Sequence, residues 1–230
     1  MRTKTTLAAA AILAAGLVSS MAQANVYSLN IVGYYNVPLG GLTALANSLQ
    51  TGTPANRADQ VIPVSDGDNI QIWTGSSWAT WTMDSASSTG WLNPAGADAP
   101  LTSLPILGPG VGFFYGNNTA GKTNITFVGD VRTGTNTVAL PVGLNASGSP
   151  LPYGGLVSTG PLNLKVGDGD NIQKWTGSAW AVYTRDSGEP TGWTDPTGAG
   201  GPEPSLNVGQ GFFYGNTTVP NTWTQILNPQ

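Results

Sequence analysis

The chain reads as an all-β protein: two tandem homologous antiparallel β-barrel or β-sandwich repeats, packed closely, after a cleaved signal peptide. Three observations predict this. The segment 66–100 recurs at 168–202 with 22 of 35 positions identical at an offset of 102. Thirty-two Gly and seventeen Pro interrupt the 230 residues so often that no window past the leader holds an apolar three-to-four spacing over helical length. Between those breaks stand short runs of Ile, Val, Thr, Trp, Phe and Tyr, the residues that suit a pleated surface.

The first 24 residues carry Arg2 and Lys4, an apolar stretch from Leu7 to Val18, and the small-residue close Ala22-Gln23-Ala24. That order is the pattern of a secretory signal peptide, and the apolar run is too short for a bilayer span. The expected mature chain is exported to the periplasm, the cell surface or the extracellular space, with no membrane span of its own. Its 206 residues divide into a first β repeat at 25–131 and a second at 132–230, each near the usual size of a domain.

Strands follow in order at 27–35, at the hairpin 69–82, at Phe113–Tyr115, and at 125–131. The second copy repeats them at 137–142, 171–184, Phe212–Tyr214 and 222–227. In each hairpin Asn-Ile-Gln-x-Trp runs into Thr-Gly-Ser-x-Trp, with Gly75 or Gly177 supplying a tight connection. That register sets Trp73 opposite Trp78 and Trp175 opposite Trp180, so each pair stacks across its hairpin. Ile70 and Ile72 share one face, with Trp73 on the other. Lys174 replaces Ile72 in the second copy and places that end of the face near solvent. Upstream, Leu42-Thr43-Ala44-Leu45 aligns with Thr137-Val138-Ala139-Leu140, and 43–48 is the segment best suited to a turn of helix. Between the copies, Arg132 to Thr135 leads directly from one strand to the next without a Pro/Gly/Ser linker, which predicts close packing.

Composition removes whole classes of chemistry. With no Cys and no His, the chain has no thiol nucleophile, no His-based triad or general base, and none of the usual Zn²⁺ ligands. A lipid tether through a cleavage-site cysteine is excluded too, and stability must come from packing and strand pairing rather than cross-links. The leader holds two of the eight basic residues and none of the twelve acidic ones, so the mature chain carries a net charge of −6. An acidic surface without basic clusters cannot neutralise phosphates, which argues against nucleic acid and anionic membrane as partners.

Candidate sites remain, each with an ordinary structural alternative. The duplicated turns Asp66-Gly67-Asp68-Asn69 and Asp168-Gly169-Asp170-Asn171 offer oxygen ligands to Ca²⁺, through Asp66, Asp68, Asn69 and Asp168, Asp170, Asn171. The same residues are what a plain turn before a strand requires, and the later Gly and Glu of an EF-hand loop are missing. Trp91 and Trp193, each following Thr-Gly and preceding a Pro-containing loop, are the indoles best placed to lie against a sugar. Matched aromatic residues in both copies are equally core anchors. Glu189, Glu203, Asp84 and Asp186 are the carboxylates a glycosidase would draw on, yet all sit in turn or Gly/Pro-rich surroundings. Gly110-Val111-Gly112 and Gly209-Gln210-Gly211 lack the third glycine and helix of a dinucleotide fingerprint, and close backbone approach explains them better.

As a set, several motifs are distinctive: Val26-Tyr27-Ser28, Val32-Gly33-Tyr34, the Gly-Leu-Thr-Ala-Leu-Ala-Asn segment at 41–47, the Gly-Asp-x-Ile-x-x-Trp-x-Gly-x-x-Trp hairpin, a Gly-Trp, and a Pro-Gly-x-Gly-Phe-Phe strand. Together they resemble a group of uncharacterised secreted bacterial proteins with paired repeats, over nearly all of the mature chain. The resemblance implies an exported β-rich protein and no particular chemistry. The chain departs from it at Val208, where the last motif has Pro.

The function expected from these readings is non-enzymatic: a structural or interaction protein, adhesive or of the envelope, with no cofactor beyond the Ca²⁺ alternative. Its partners are then itself or other envelope proteins through sheet-edge pairing, with residues 25–37 as the pairing strand. The alternative is a carbohydrate-binding module that meets polysaccharide through Trp91 and Trp193.

Overall fold

The computed structural model describes residues 31–52 and 55–228. The expected leader, and the start of the strand expected from Tyr27, lie outside them. The first copy contributes β1 (Val32–Pro38), β2 (Leu42–Ala46), β3 (Asn69–Trp73), β4 (Trp78–Met83), β5 (Trp91–Leu92), β6 (Gly112–Gly116) and β7 (Asn124–Asp130). The second contributes β8 (Gly134–Leu140), β9 (Gly143–Ser147), β10 (Gly155–Leu156), β11 (Asn171–Trp175), β12 (Trp180–Arg185), β13 (Trp193–Thr194), β14 (Ser205–Leu206), β15 (Phe212–Asn216) and β16 (Asn221–Leu227).

Each copy builds the same two pieces. One is an open five-stranded sheet, β2-β6-β3-β4-β5 in the first copy and β9-β15-β11-β12-β13 in the second. The other is a two-stranded ribbon joining the copy's first strand to its last, β1 with β7 and β8 with β16. All pairings are antiparallel, and neither sheet closes into a barrel. The second copy adds the short pair β10–β14.

The hairpins have the expected register, Trp73 opposite Trp78 and Trp175 opposite Trp180. Gly75 and Gly177 turn them at φ +99° and +103°, a region that costs a side chain energy. Strand alternation then divides each sheet into two working faces. Ile70, Phe113 and Tyr115 point to the ribbon of their own copy, where they are buried with Val37, Ile125 and Phe127. In the second copy Ile172, Phe212 and Tyr214 meet Leu140 and Trp223 in the same way. The opposite faces carry Trp73, Trp78 and Phe114, or Trp175, Trp180 and Phe213, and these two sets pack on each other. Strands β6 and β15, each second from an edge of its sheet, are therefore buried on both sides at every position, so the Phe-Phe-Tyr-Gly they share reads as an apolar run rather than an alternation.

Two expectations are corrected. Residues 43–48 do not form a helical turn. Leu42–Ala46 is strand β2, held by a full ladder to β6, and the one turn of α-helix among the described residues is α1 (Ala58–Val61). Nor is 137–140 the counterpart of Leu42–Leu45. The position of β2 in its sheet is taken in the second copy by β9, with Leu42 matching Leu144 at the same offset of 102 as the hairpins, while Gly134–Leu140 takes the place of β1. Apolar–Thr strings align by chance, and the edge strand Gly-Leu-Asn-Ala-Ser shows little of the hydrophobicity by which strands are read.

The copies meet through those edge strands. Leu45 bridges to Gln210 and Val111 to Ser147, so each β2-type edge pairs briefly with the other copy. The glycines of the two Gly-x-Gly segments permit it. A Cβ on Gly112 would lie 2.5 Å from the Ser147 nitrogen, and one on Gly211 would lie 2.4 Å from the Leu45 oxygen. Close backbone approach is indeed their role.

Candidate functional site

The two aspartates of each duplicated turn take different positions. Asp66 and Asp168 stay at the surface and accept the backbone N–H of Ser85 and Ser187, both at 2.6 Å. Asp68 and Asp170 turn inward and are almost fully buried. Asp68 accepts hydrogen bonds from the Ser65 and Asn118 amides (both 2.9 Å), Thr119 Oγ1 (3.0 Å), Lys122 Nζ (3.2 Å) and the Tyr115 hydroxyl. Burial by itself pushes this carboxyl up, but Tyr115, the backbone amides and Lys122 outweigh it and hold the group at about 2. Tyr115 is driven far above its ordinary value by burial and by the adjacent carboxylate.

Asp170 repeats the arrangement with Gly167 N, Thr217 N, Thr217 Oγ1 and the Tyr214 hydroxyl, and it too is held low against its burial. Burial and Asp170 push Tyr214 up to about 12. The copies differ in one respect. Lys122 reaches Tyr115 and the Pro63 carbonyl, whereas Asn221 reaches Tyr214 and the Lys165 carbonyl at the matching positions. The second buried carboxylate is thus held by neutral donors alone.

These contacts bear on the Ca²⁺ reading. The inner carboxylates are saturated by donors, and Asn69 and Asn171 accept from Gln71 and Gln173 on their own strands. Among the described residues no three of His, Cys, Asp or Glu gather as a metal cage. The turns act as plugs that tie each hairpin to the loop after its Phe-Phe-Tyr strand. Other carboxylates also serve backbone. Asp84 and Asp186 accept the Ala86 and Gly188 amides, and Glu203 accepts Ser158 and Thr159 donors, which draw it below its ordinary value in spite of burial.

Trp91 and Trp193 are not exposed, contrary to the expectation that they present rings to a sugar. They are 3% and 1% accessible, within the cores of the first and second copy. Gly90 and Gly192, at φ +76° and +74°, turn the chain so that β5 and β13 lay these indoles inward. The Arg185 guanidinium lies 5.7 Å from the Trp193 ring centre.

Besides Trp81 of β4, which is half-buried against the core of the first copy, the indoles that reach a surface are those at the hairpin tips. Trp73, Trp78, Phe114, Trp175, Trp180 and Phe213 form a seam of edge-to-face and tilted contacts with centroids 5.0–5.6 Å apart. Its interior leaves a cavity of about 10 Å³, about the size of one water probe. Two reciprocal hydrogen bonds lock it. Trp73 Nε1 donates to the Leu144 oxygen and Trp175 Nε1 to the Leu42 oxygen, each at 2.9 Å and each crossing between copies.

Where each tip crosses the other copy's edge strand, a groove opens. One, of about 570 Å³, lies between Trp175 and the segments bearing Asn36, Thr43, Asn207 and Gln210. Its counterpart, of about 280 Å³, lies between Trp73 and the segments bearing Val111, Val138, Asn145 and Ser147. Trp73 and Trp175, Thr43 and Asn145, and Val111 and Gln210 are matched positions in the repeat. No charged side chain lines either groove.

No protein-family model, curated protein or solved structure matches the chain. Among the described residues no helix is long and apolar enough to cross a membrane.

Proposed function

We propose that the protein is an exported, non-enzymatic structural or interaction protein of the cell envelope or exterior, which joins neighbouring molecules through its strand edges. The ribbons carry this reading. The outer edges of the two five-stranded sheets are covered: β2 and β9 bridge to the opposite copy, and β5 and β13 to their own following loops at Asp98 and Gly200. The ribbons β1–β7 and β8–β16 have no third strand among the described residues, and a single bridge from Gln50 to Asp130 at the end of β7 is the one bridge on their outer edges there. On β1 the solvent face shows Val32 and Tyr34 at 69% and 75% exposure, beside Val128 of β7. Ile226 on β16 is 55% exposed. Apolar edge strands without a partner are templates for strand addition, which soluble proteins otherwise blunt with charge.

The aromatic seam supports the same reading from the other side. The duplicated Trp and Phe residues bind one sheet to the other, and the duplicated aspartates pin the hairpins, so these repeated features of both copies serve rigidity. The test is sedimentation velocity on the mature chain across a wide concentration series, with negative-stain microscopy of the concentrated sample. Self-association that Tyr34→Lys or Ile226→Lys weakens is the expected result. A wild-type protein that stays monomeric throughout and captures no envelope protein through these strands overturns the proposal.

A further inference from the structure

We propose that the paired grooves beside the hairpin tips are binding sites for a neutral polysaccharide chain. The inference is independent of the strand-edge reading and places any sugar contact at Trp73 and Trp175 rather than at the buried Trp91 and Trp193.

Three features select that ligand. The first is the wall. Trp175 and Trp73 are half-buried, held edge-on by Trp180 and Trp78 and pinned through Nε1 to the opposite copy, so each indole is fixed before any ligand arrives. A fixed aromatic wall suits the apolar faces of pyranose rings. The second is the polar rim. In the larger groove Gln210 Oε1 accepts the Asn207 amide, which fixes the Gln210 side chain and leaves its Nε2 without a protein partner among the described residues. Asn36 likewise engages Thr126 through Oδ1, with its Nδ2 unpartnered there. Side-chain amides that both donate and accept match the hydroxyls of a sugar. The third is charge. With no Lys, Arg, Asp or Glu in either lining, the grooves have nothing to neutralise a uronate, sulfate or phosphate, and nothing to exclude an uncharged chain. The larger volume falls in the range of roughly 300–1,000 Å³ typical of ligand sites, and the smaller just below it.

The duplication makes the sites two per chain and unequal, since Gln210 is matched by Val111 and only the larger groove has the full set of amides. The experiment is isothermal titration calorimetry of the mature protein in the Tyr34→Lys background, so that groove occupancy and self-association through β1 are read separately. The probes are the hexasaccharides of cellulose, amylose and chitin, with hexagalacturonate as the acidic control. Saturable binding of at least one neutral probe is expected, tighter at one site than the other and with no comparable binding of hexagalacturonate. Asn36→Ala with Gln210→Ala, which change side chains outside the aromatic seam, should weaken the tighter site on the order of tenfold, as loss of two hydrogen bonds implies. Absence of saturable binding to all three neutral probes by the folded protein overturns the proposal. So does unchanged affinity in the double variant or equal binding of the acidic probe.

Discussion

Replacing Asp68 by Ala should destabilise the protein far more than replacing Asp66, two residues away in the same turn. The Asp68 side chain has no exposed surface, and its loss strands the Ser65 and Asn118 amides, the Tyr115 hydroxyl and the Lys122 ammonium together. Water can reach Lys122 and, in part, the two amides, so the buried Tyr115 hydroxyl dominates. Orphaned buried donors cost about 1–3 kcal/mol each, and breaking a buried ionic cluster about 3–5 kcal/mol in all. For a chain of this length that is a fall in Tm of about 6–20 °C. Asp66→Ala removes one surface hydrogen bond and should cost less than about 1 kcal/mol. Acid supplies an internal control. The Asp68 carboxyl sits at about 2 in the folded protein against an ordinary 3.8, so its folded-state advantage, about 2 kcal/mol, is complete above pH 4 and disappears as pH falls toward 2. The difference in Tm between wild type and Asp68→Ala should therefore narrow from pH 7 to pH 3. Equal destabilisation by both substitutions, with Ca²⁺ stabilising the wild type but neither variant, would refute this reasoning and return the turn to metal binding.

Three further outcomes are expected. Lys122→Ala should cost about 1–3 kcal/mol in chemical denaturation, and Lys122→Asn, the residue type at the matching position of the second copy, should recover part of that loss. Gly211→Ala places a methyl 2.4 Å from the Leu45 oxygen, so the crossing must open; a loss of about 1–3 kcal/mol by calorimetry is expected, and a neutral result would show that the copies do not approach there. Trp73→Ala removes a seam indole together with its bond to the Leu144 oxygen. It should lower stability by about 3 kcal/mol and collapse the near-ultraviolet circular dichroism of the seam while leaving the strands intact.

Much of the local structure was legible in the residues. Asn-Ile-Gln-x-Trp followed by Thr-Gly-Ser-x-Trp dictates a hairpin with one possible register, because the glycine takes a positive φ and side-chain alternation does the rest. The duplication at offset 102 made the equivalence of the two hairpins visible, and the absence of a linker pointed to closely packed copies. Edge strand β9 was illegible, since Gly-Leu-Asn-Ala-Ser acquires strand geometry only from its ladder to β15 and its bridge to the other copy. The same holds for Leu42–Ala46, whose apolar spacing suits a helical turn as readily as a strand until β6 supplies the partner.

For the candidate site the division is sharper. Sequence alone determined the residue types: indoles at hairpin tips, amides and hydroxyls on edge strands, carboxylates in Gly-bearing turns, and the complete absence of His and Cys. Tertiary structure decided which indoles are wet. Trp91 and Trp193 looked exposed beside their loops, but a two-residue edge strand directs them into the core, while Trp73 and Trp175 reach the surface because the copies cross beside them. Sequence patterns encode which face of a strand a residue occupies, and only the packing of one sheet on another decides whether that face meets water.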